Sequence, residues 1–183
     1  RLTGRMVAIN LEPAAVRNDG EKSVWSLTEG RRATVENAKK AADMGVDMIV
    51  LTGNPGVGVD NRAITKALAD LNEAVGDRVI LTAGKMHASG ILSEAGEKIL
   101  TKEDAETFIE AGADVLLLPA PGTVPGFTME HAAELIKTAH EKGVLAMTTI
   151  GTSQEGADEE TIRQIALMCK MAGADIHHIG DSG

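Results

Sequence analysis

The stretch AGADVLLLPAPGT (residues 111–123) sets the pattern of this chain, because three other stretches resemble it. They are MGVDMIVLTGNP (44–55), AGADIHHIGDSG (172–183) and, more loosely, KGVLAMTTIGTS (142–153). Each has a glycine suited to ending a helix, then a short apolar run, then a turn of Gly, Pro or small polar residues. Units of roughly 30 residues with this pattern predict alternating strands and helices.

The rest of the chain fits the same alternation. Further strands are predicted at 5–12 and 78–87, and helices at 34–44, at 61–75 and after the caps Thr101, Thr128 and Asp158. Six strands thus alternate with five helices, and no linker or low-complexity segment interrupts them. The sequence predicts one domain over residues 1–183, built on a parallel sheet with right-handed crossovers.

Two architectures fit this order: an open doubly wound sheet and a (β/α)8 barrel. Nearly every strand ends in polar residues, and the first strand places apolar residues on one face and Ala8, Asn10 and Glu12 on the other. Both features favour the barrel. Six strands are two short of closure, so we expect strands 3 to 8 of a barrel that is incomplete at both ends. A natural six-stranded open sheet is the alternative.

Composition excludes several classes of function. The 183 residues carry a formal net charge of -9 and are 2% aromatic, which disfavours nucleic-acid binding. Cys169 is the one cysteine, so disulfides and thiolate metal clusters are not expected. The sequence contains no apolar run of about 18 residues, the length that would indicate a membrane span. A cytoplasmic protein is therefore expected.

Several motifs carry a resemblance to a known family. They are NLEP (10–13), 30–47, VLTGNPGVGV (50–59), AGKMHASG (83–90), LLPAPGTVPG (117–126) and 150–183. The chain resembles an uncharacterised bacterial (β/α)8-barrel family labelled phosphoenolpyruvate phosphonomutase-like, or mislabelled haloacid-dehalogenase-like hydrolase. The resemblance implies that the chain spans barrel strands 3 to 8. The chain departs from true phosphonomutases, because its sequence lacks their acidic Mg²⁺-binding cluster and their lysine–cysteine loop. No cofactor is predicted, and Mg²⁺ stays an open alternative.

The loops after the last two strands are candidates for phosphate or carboxylate binding. Their candidate residues are Gly151, Thr152, Ser153, Gly180, Asp181 and Ser182. Glycines let backbone N–H groups approach an anion, and hydroxyls can complete its shell. The negative charge of Asp181 would repel a bound anion unless its side chain points away from the site. The alternative is that both loops are ordinary turns in which Ser and Thr cap helices.

The stretch AGKMH (83–87) contains the strongest candidates for catalytic residues. In an extended backbone Lys85 and His87 share a face, where Lys85 could serve as a base or Schiff-base nucleophile and His87 could move a proton. Glu12, with Asn10 on its face, is a candidate general base or metal ligand. The alternatives are a Lys85 paired with Glu12 or Glu94 and a hydrogen-bonded His87.

Two further positions are candidates for substrate contact. Asn54, with Thr52, could hydrogen-bond a substrate carbonyl, or it could simply start an Asn-Pro turn. His177 and His178 are adjacent on a strand and must point to opposite faces. Parity alone leaves open which of the two faces the lumen, and we favour His178 because it shares parity with Gly180. Neither histidine has zinc-ligand spacing.

These features predict an enzyme of the lyase or isomerase type that acts on a small phosphorylated or carboxylated metabolite. Lys85, His87 and Glu12 are its candidate catalytic residues. The first alternative is a non-catalytic regulatory protein that binds a metabolite, and a phosphate-ester hydrolase ranks last. A homo-oligomer is also expected.

Overall fold

A computed structural model describes residues 4–14, 27–53, 58–87, 93, 95–150 and 157–180. Its strands are β1 (Ala8–Leu11), β2 (Met48–Leu51), β3 (Ile80–Gly84), β4 (Val115–Pro119), β5 (Leu145–Ile150) and β6 (Ile176–Ile179). Its α-helices are α1 (Val35–Asp43), α2 (Asn61–Val75), α3 (Lys102–Glu110), α4 (Met129–Glu141) and α5 (Glu159–Ala172). This is the predicted alternation, although β1 and β3 are shorter than the strands predicted at 5–12 and 78–87.

The six strands form one parallel sheet, and each pairs with its neighbour in the chain. Successive helices also contact each other, from α1 against α2 to α4 against α5. A doubly wound sheet reverses its strand order and carries helices on both faces. The order here runs without reversal, so the strands curl into a half-barrel with the helices outside. The predicted α/β barrel architecture is therefore confirmed for these strands, while closure by eight strands is not shown.

The helices begin at the caps that the sequence indicates. Thr34, Thr128 and Asp158 each accept a hydrogen bond from a backbone N–H three residues ahead. Thr101 and Asp104 form a reciprocal capping box at the start of α3. Such caps satisfy N–H groups that the first turn of a helix leaves unpaired. At the other end of α5, Gly173 adopts a left-handed φ of 101°, as the repeated glycine predicts.

The main core lies between the outer face of the sheet and the helices. It includes Leu51, Leu81 and Leu116 from the strands and apolar stripes from the helices, among them Leu68 of α2 and Phe108 of α3. All five of these side chains are fully buried.

No helix in the described part of the chain is long and apolar enough to span a membrane.

A second, smaller cluster covers the inner face of the sheet. Its buried members are Met48, Val115, Leu117 and Met147, with Val50, Ile80, Met86 and Ile176 packed against them. Because side chains alternate between the two faces of a strand, this cluster shows which residues point inward. The inner face is thus mainly apolar and rich in methionine.

Three aspartates, Asp47, Asp114 and Asp175, join the strands at the amino edge of the sheet. One carboxylate oxygen of each accepts a backbone N–H from the preceding strand, from Val7, Leu81 and Ala146 respectively, at 2.8 Å in each case. The backbone carbonyls of Asp47 and Asp114 accept from the following strands. Each aspartate belongs to a Gly-x-Asp copy of the repeated stretch, so the repeat encodes a link between neighbouring strands.

Candidate functional site

The carboxyl edge of the sheet carries the predicted chemical residues, beginning with Lys85 and His87. Both lie beyond Gly84, the last residue of β3, so the predicted strand ends three residues earlier than expected. Lys85 is only 4% exposed and His87 is half-buried. Met86, between them, packs against the inner cluster. The structure therefore places a buried amine at the end of β3.

Gly84 explains why this strand ends as it does. A Cβ atom at this position would lie 1.8 Å from the carbonyl oxygen of Leu117. Gly84 pairs with Leu117 of β4, so the two backbones approach more closely there than any side chain permits. The glycine before Lys85 thus fixes the point from which the lysine leaves the sheet.

Glu12 is buried at the end of β1, with 6% of its surface exposed. Its Oε1 forms an ion pair with the guanidinium of Arg31, which is the partner that the structure shows for this carboxylate. Glu12 also lines a groove of about 840 Å³ beside the amino ends of α1 and α2, together with Arg32, Thr34 and Asp60. The carboxylate is therefore held at the carboxyl edge by a cation.

The two histidines of β6 point as predicted. Ile176 packs on the inner cluster, so His178 faces inward and His177 faces the helix layer. The His177 Nδ1 atom lies 3.0 Å from the hydroxyl of Thr148. The Nδ1 atom of His178 is buried and has no hydrogen-bond partner among the described residues. His178 thus brings an unsatisfied polar atom to the inner face.

Cys169 lies behind the sheet, on α5. Burial raises the pKa of its thiol, and a hydrogen bond with Thr148 offsets this only in part. A buried neutral thiol is a poor nucleophile. Cys169 is therefore a packing residue in this structure.

The remaining predicted residues divide into two groups. Asn10 is exposed on β1, in register with Val50 of the inner face, and Gly180 has open space where a Cβ would stand. The others lie outside the described residues: Asn54, Gly151, Thr152, Ser153, Asp181 and Ser182. Within the described ranges, no group of three or more His, Cys, Asp or Glu side chains is placed to hold a metal ion.

Sequence reasoning missed one inward-facing threonine of interest, Thr82, and gave Thr52 only a minor role. Both are buried polar residues on the inner side of an otherwise apolar surface. The signal in the sequence was a threonine at the inward parity of a buried apolar strand. In ILTAG of β3, Thr82 stands between two outward-facing core residues, Leu81 and Ala83.

Comparison with known proteins gives a family and a fold. The chain belongs to the family described as "Domain of unknown function (DUF7916)", whose model matches residues 1–183. No curated protein matches it.

Solved structures with similar folds are barrel enzymes. A 3-dehydroquinate dehydratase from Aquifex aeolicus VF5 matches 93% of this chain and 64% of its own, with a TM-score of 0.57 and 16% identity. An archaeal fructose-1,6-bisphosphate aldolase matches 78% of this chain and 53% of its own, with a TM-score of 0.54 and 19% identity. A 3-hexulose-6-phosphate synthase matches 94% and 61%, with a TM-score of 0.52 and 16% identity. The chain thus spans between 53% and 64% of the length of these three proteins, and identities this low show the shared fold alone.

Proposed function

We propose that this member of the DUF7916 family is a barrel enzyme of the lyase or isomerase type, in the phosphonomutase-like group that its motifs resemble. It binds a small phosphorylated or carboxylated metabolite at the carboxyl edge of the sheet. The observation that carries the proposal is the burial of Lys85, 4% exposed, at the end of β3. Carboxyl ends of strands are where barrel enzymes place their catalytic groups.

A buried amine suits two roles in such a reaction. As a cation it pairs with the phosphate or carboxylate of the ligand, in a chain whose formal net charge is -9. As a neutral amine it attacks a carbonyl carbon, forms a C–N bond and releases the oxygen as water, leaving an imine. In the archaeal aldolase the catalytic lysine is covalently bound to the carbinolamine intermediate of the substrate, so a related fold supports this chemistry.

His87 and Glu12 complete the proposed machinery. His87 lies two residues beyond Lys85 and is half-buried, as expected of a group that exchanges protons with a bound ligand. Glu12 is buried at the end of β1 and acts as a base once a ligand anion draws Arg31 away from it. Proton transfer by positioned groups of this kind contributes about 10²–10⁴-fold each to a rate.

The ion pair between Glu12 and Arg31 favours one competing function, a regulatory protein that binds the same metabolite without turnover. The carboxylate of Glu12 is already occupied by the Arg31 guanidinium, as a structural ion pair at a binding site would be. The two functions share a ligand site and differ only in chemistry.

The test is a calorimetric screen of phosphorylated and carboxylated metabolites, followed by NMR analysis of each bound compound for conversion. Hits with a carbonyl group are also treated with borohydride, which reduces an imine to a stable amine, and the modified peptide is identified by mass spectrometry. The enzyme proposal expects conversion that Lys85→Ala and His87→Ala abolish. Binding without conversion by any ligand establishes the regulatory protein, and binding of no compound overturns both.

A further inference from the structure

Two threonine hydroxyls on the inner face of the half-barrel are buried, and no described residue bonds to them. Thr52 is 2% exposed and Thr82 is 0% exposed. Neither Oγ1 atom has a hydrogen-bond partner among the residues that the structure describes. A buried hydroxyl that forms no bond costs free energy, so natural proteins rarely keep one unless water or a ligand satisfies it.

The strand register shows where these hydroxyls point. Thr82 is in register with Val50 of β2 and Val115 of β4, which both belong to the inner cluster. Thr52 follows the last residue of β2, so the alternation of the strand, continued by one residue, places it on the same side as Val50 and nearer to the carboxyl edge. With neighbouring strands about 4.8 Å apart, residues placed this way are about 8 Å apart, close enough for one small ligand to bond both.

Other buried threonines in the same core are satisfied. The hydroxyl of Thr149, only 1% exposed, donates to the carbonyl of Leu118 at 3.1 Å. The hydroxyl of Thr138 donates to the carbonyl of Glu134 at 3.1 Å. The fold can therefore pair a buried threonine even on the inner face, where Thr149 is in register with His178, whereas Thr52 and Thr82 have no partner among the described residues.

The inner cluster on this face of the sheet is rich in adaptable side chains. Met48, Met86 and Met147 all belong to the inner cluster or pack against it. Methionine is unbranched and flexible, and it is common on binding surfaces that must reshape around a ligand. A ligand that enters from the carboxyl edge can displace these thioethers and reach the threonines.

From these contacts we infer that Thr52 and Thr82 form a subsite for the neutral, oxygen-bearing end of the ligand. A hydroxyl both donates and accepts, so the subsite takes hydroxyl or carbonyl groups and disfavours an alkyl chain. The substrate class is therefore a hydroxylated or carbonyl-bearing anion, such as a sugar phosphate or a hydroxy acid. This inference rests on the proposed function, in which the anionic end lies at the carboxyl edge.

The test uses two matched pairs of probes. Glycerol 3-phosphate and n-propyl phosphate share an anion and a three-carbon chain, and they differ in their hydroxyls. Glycerate and propanoate differ in the same way. Calorimetry measures all four against the wild type, Thr52→Val, Thr82→Val and, as the control, Thr149→Val. Valine has the shape of threonine without the hydroxyl, and the melting temperature of each variant is recorded.

We expect the wild type to prefer the hydroxylated member of at least one pair by about 10-fold or more, since a site built to bond an oxygen rejects the analogue without it. Thr52→Val and Thr82→Val should remove most of this preference, and Thr149→Val should keep it. The first two variants should leave the melting temperature unchanged or raise it. Thr149→Val should lower it by about 2–4 °C, because the Leu118 carbonyl loses its donor.

Each contrary result has a distinct meaning. Equal binding of both members of each pair by the wild type overturns the subsite and leaves the proposed function standing. A fall in melting temperature of Thr52→Val and Thr82→Val as large as that of Thr149→Val also overturns the subsite, because their hydroxyls would then have partners within the fold. Binding of none of the four probes, with no hit in the metabolite screen, overturns the proposed function itself.

Discussion

The two edges of this sheet are built by opposite rules. At the amino edge, Asp47, Asp114 and Asp175 repeat one arrangement, and each carboxylate is bonded to a neighbouring strand. At the carboxyl edge, Glu12 and Lys85 occur once each and bury charged groups at strand ends. Repeated polar groups that bond neighbouring strands stabilise a fold, whereas charged groups that are buried at single positions are costly even when paired and are frequent at binding and catalytic sites. The repeat therefore encodes the scaffold, and the residues that break it are the candidates for function.

The largest expected effect comes from Gly84→Ala, which tests whether the carboxyl edge depends on the close approach of β3 and β4. The added Cβ would lie 1.8 Å from the Leu117 carbonyl oxygen, so the two strands must separate. We expect a loss of about 3 kcal/mol or more in the free energy of unfolding, measured by urea denaturation. Gly30→Ala is the control, because nothing lies within 4 Å of a Cβ at that position. Equal stability of the two variants would contradict this account of β3.

Lys85→Met should lower the affinity of the carboxyl edge for an anion. Removing a charged hydrogen-bond partner of an anion costs about 1.5–3 kcal/mol, so the affinity for the tightest anion of the screen should fall by about 10- to 150-fold. Lys40→Met makes the same change on an exposed face of α1, where Lys40 pairs with Glu36, and should leave the affinity unchanged. Titration calorimetry on variants with native circular dichroism measures both. An undiminished affinity in Lys85→Met would remove the lysine from the site.

Asp114→Ala should have the reverse profile and lower stability without affecting ligand binding. The variant leaves the backbone N–H of Leu81 without its acceptor, which costs about 1–3 kcal/mol. Asp77→Ala is a control at the same edge, in the exposed turn after α2. Urea denaturation gives the stability and calorimetry gives the anion affinity. A large loss of anion affinity in folded Asp114→Ala would contradict the claim that the amino edge stabilises the fold while the carboxyl edge binds the ligand.

The smallest effect is a pH dependence at the amino edge. Burial raises the pKa of Asp175, but hydrogen bonds from His140 and the Ala146 N–H outweigh it and hold the pKa below its usual value. A carboxyl whose pKa is lowered by folding adds stability above its unfolded pKa, and this stability is lost as the pH falls through the folded pKa. Wild type should therefore lose more stability on acidification than Asp175→Asn, as urea denaturation at a series of pH values would show. Equal losses of stability in the wild type and Asp175→Asn as the pH falls would refute this role of Asp175.

The sequence predicts much of the scaffold, because the scaffold is local and repeated. Caps such as Thr101 and Asp158, the glycine Gly173 and the stripe of Leu68 and Leu71 follow from rules that act within a few residues. The opposite directions of His177 and His178 also followed, since parity along a strand is a local property, but parity alone left open which of the two faces inward.

The site is harder to predict because it depends on contacts between distant segments. The ion pair of Glu12 with Arg31 joins residues 19 apart, and the close approach of Gly84 to Leu117 joins two strands across a helix. The sequence could not show that the hydroxyl of Thr82 has no partner among the described residues, because this depends on how distant segments pack around it. The roles of Lys85, His87 and Glu12 in catalysis remain predictions.

The central claim is that the carboxyl edge binds a small anion, and a crystal structure of the protein with glycerol 3-phosphate tests it most directly. The account predicts a phosphate at that edge near Lys85 and Gly180, with the three-carbon chain directed into the half-barrel toward Thr52. A phosphate bound at the amino edge beside Arg78, or no phosphate at saturating concentration, would contradict it.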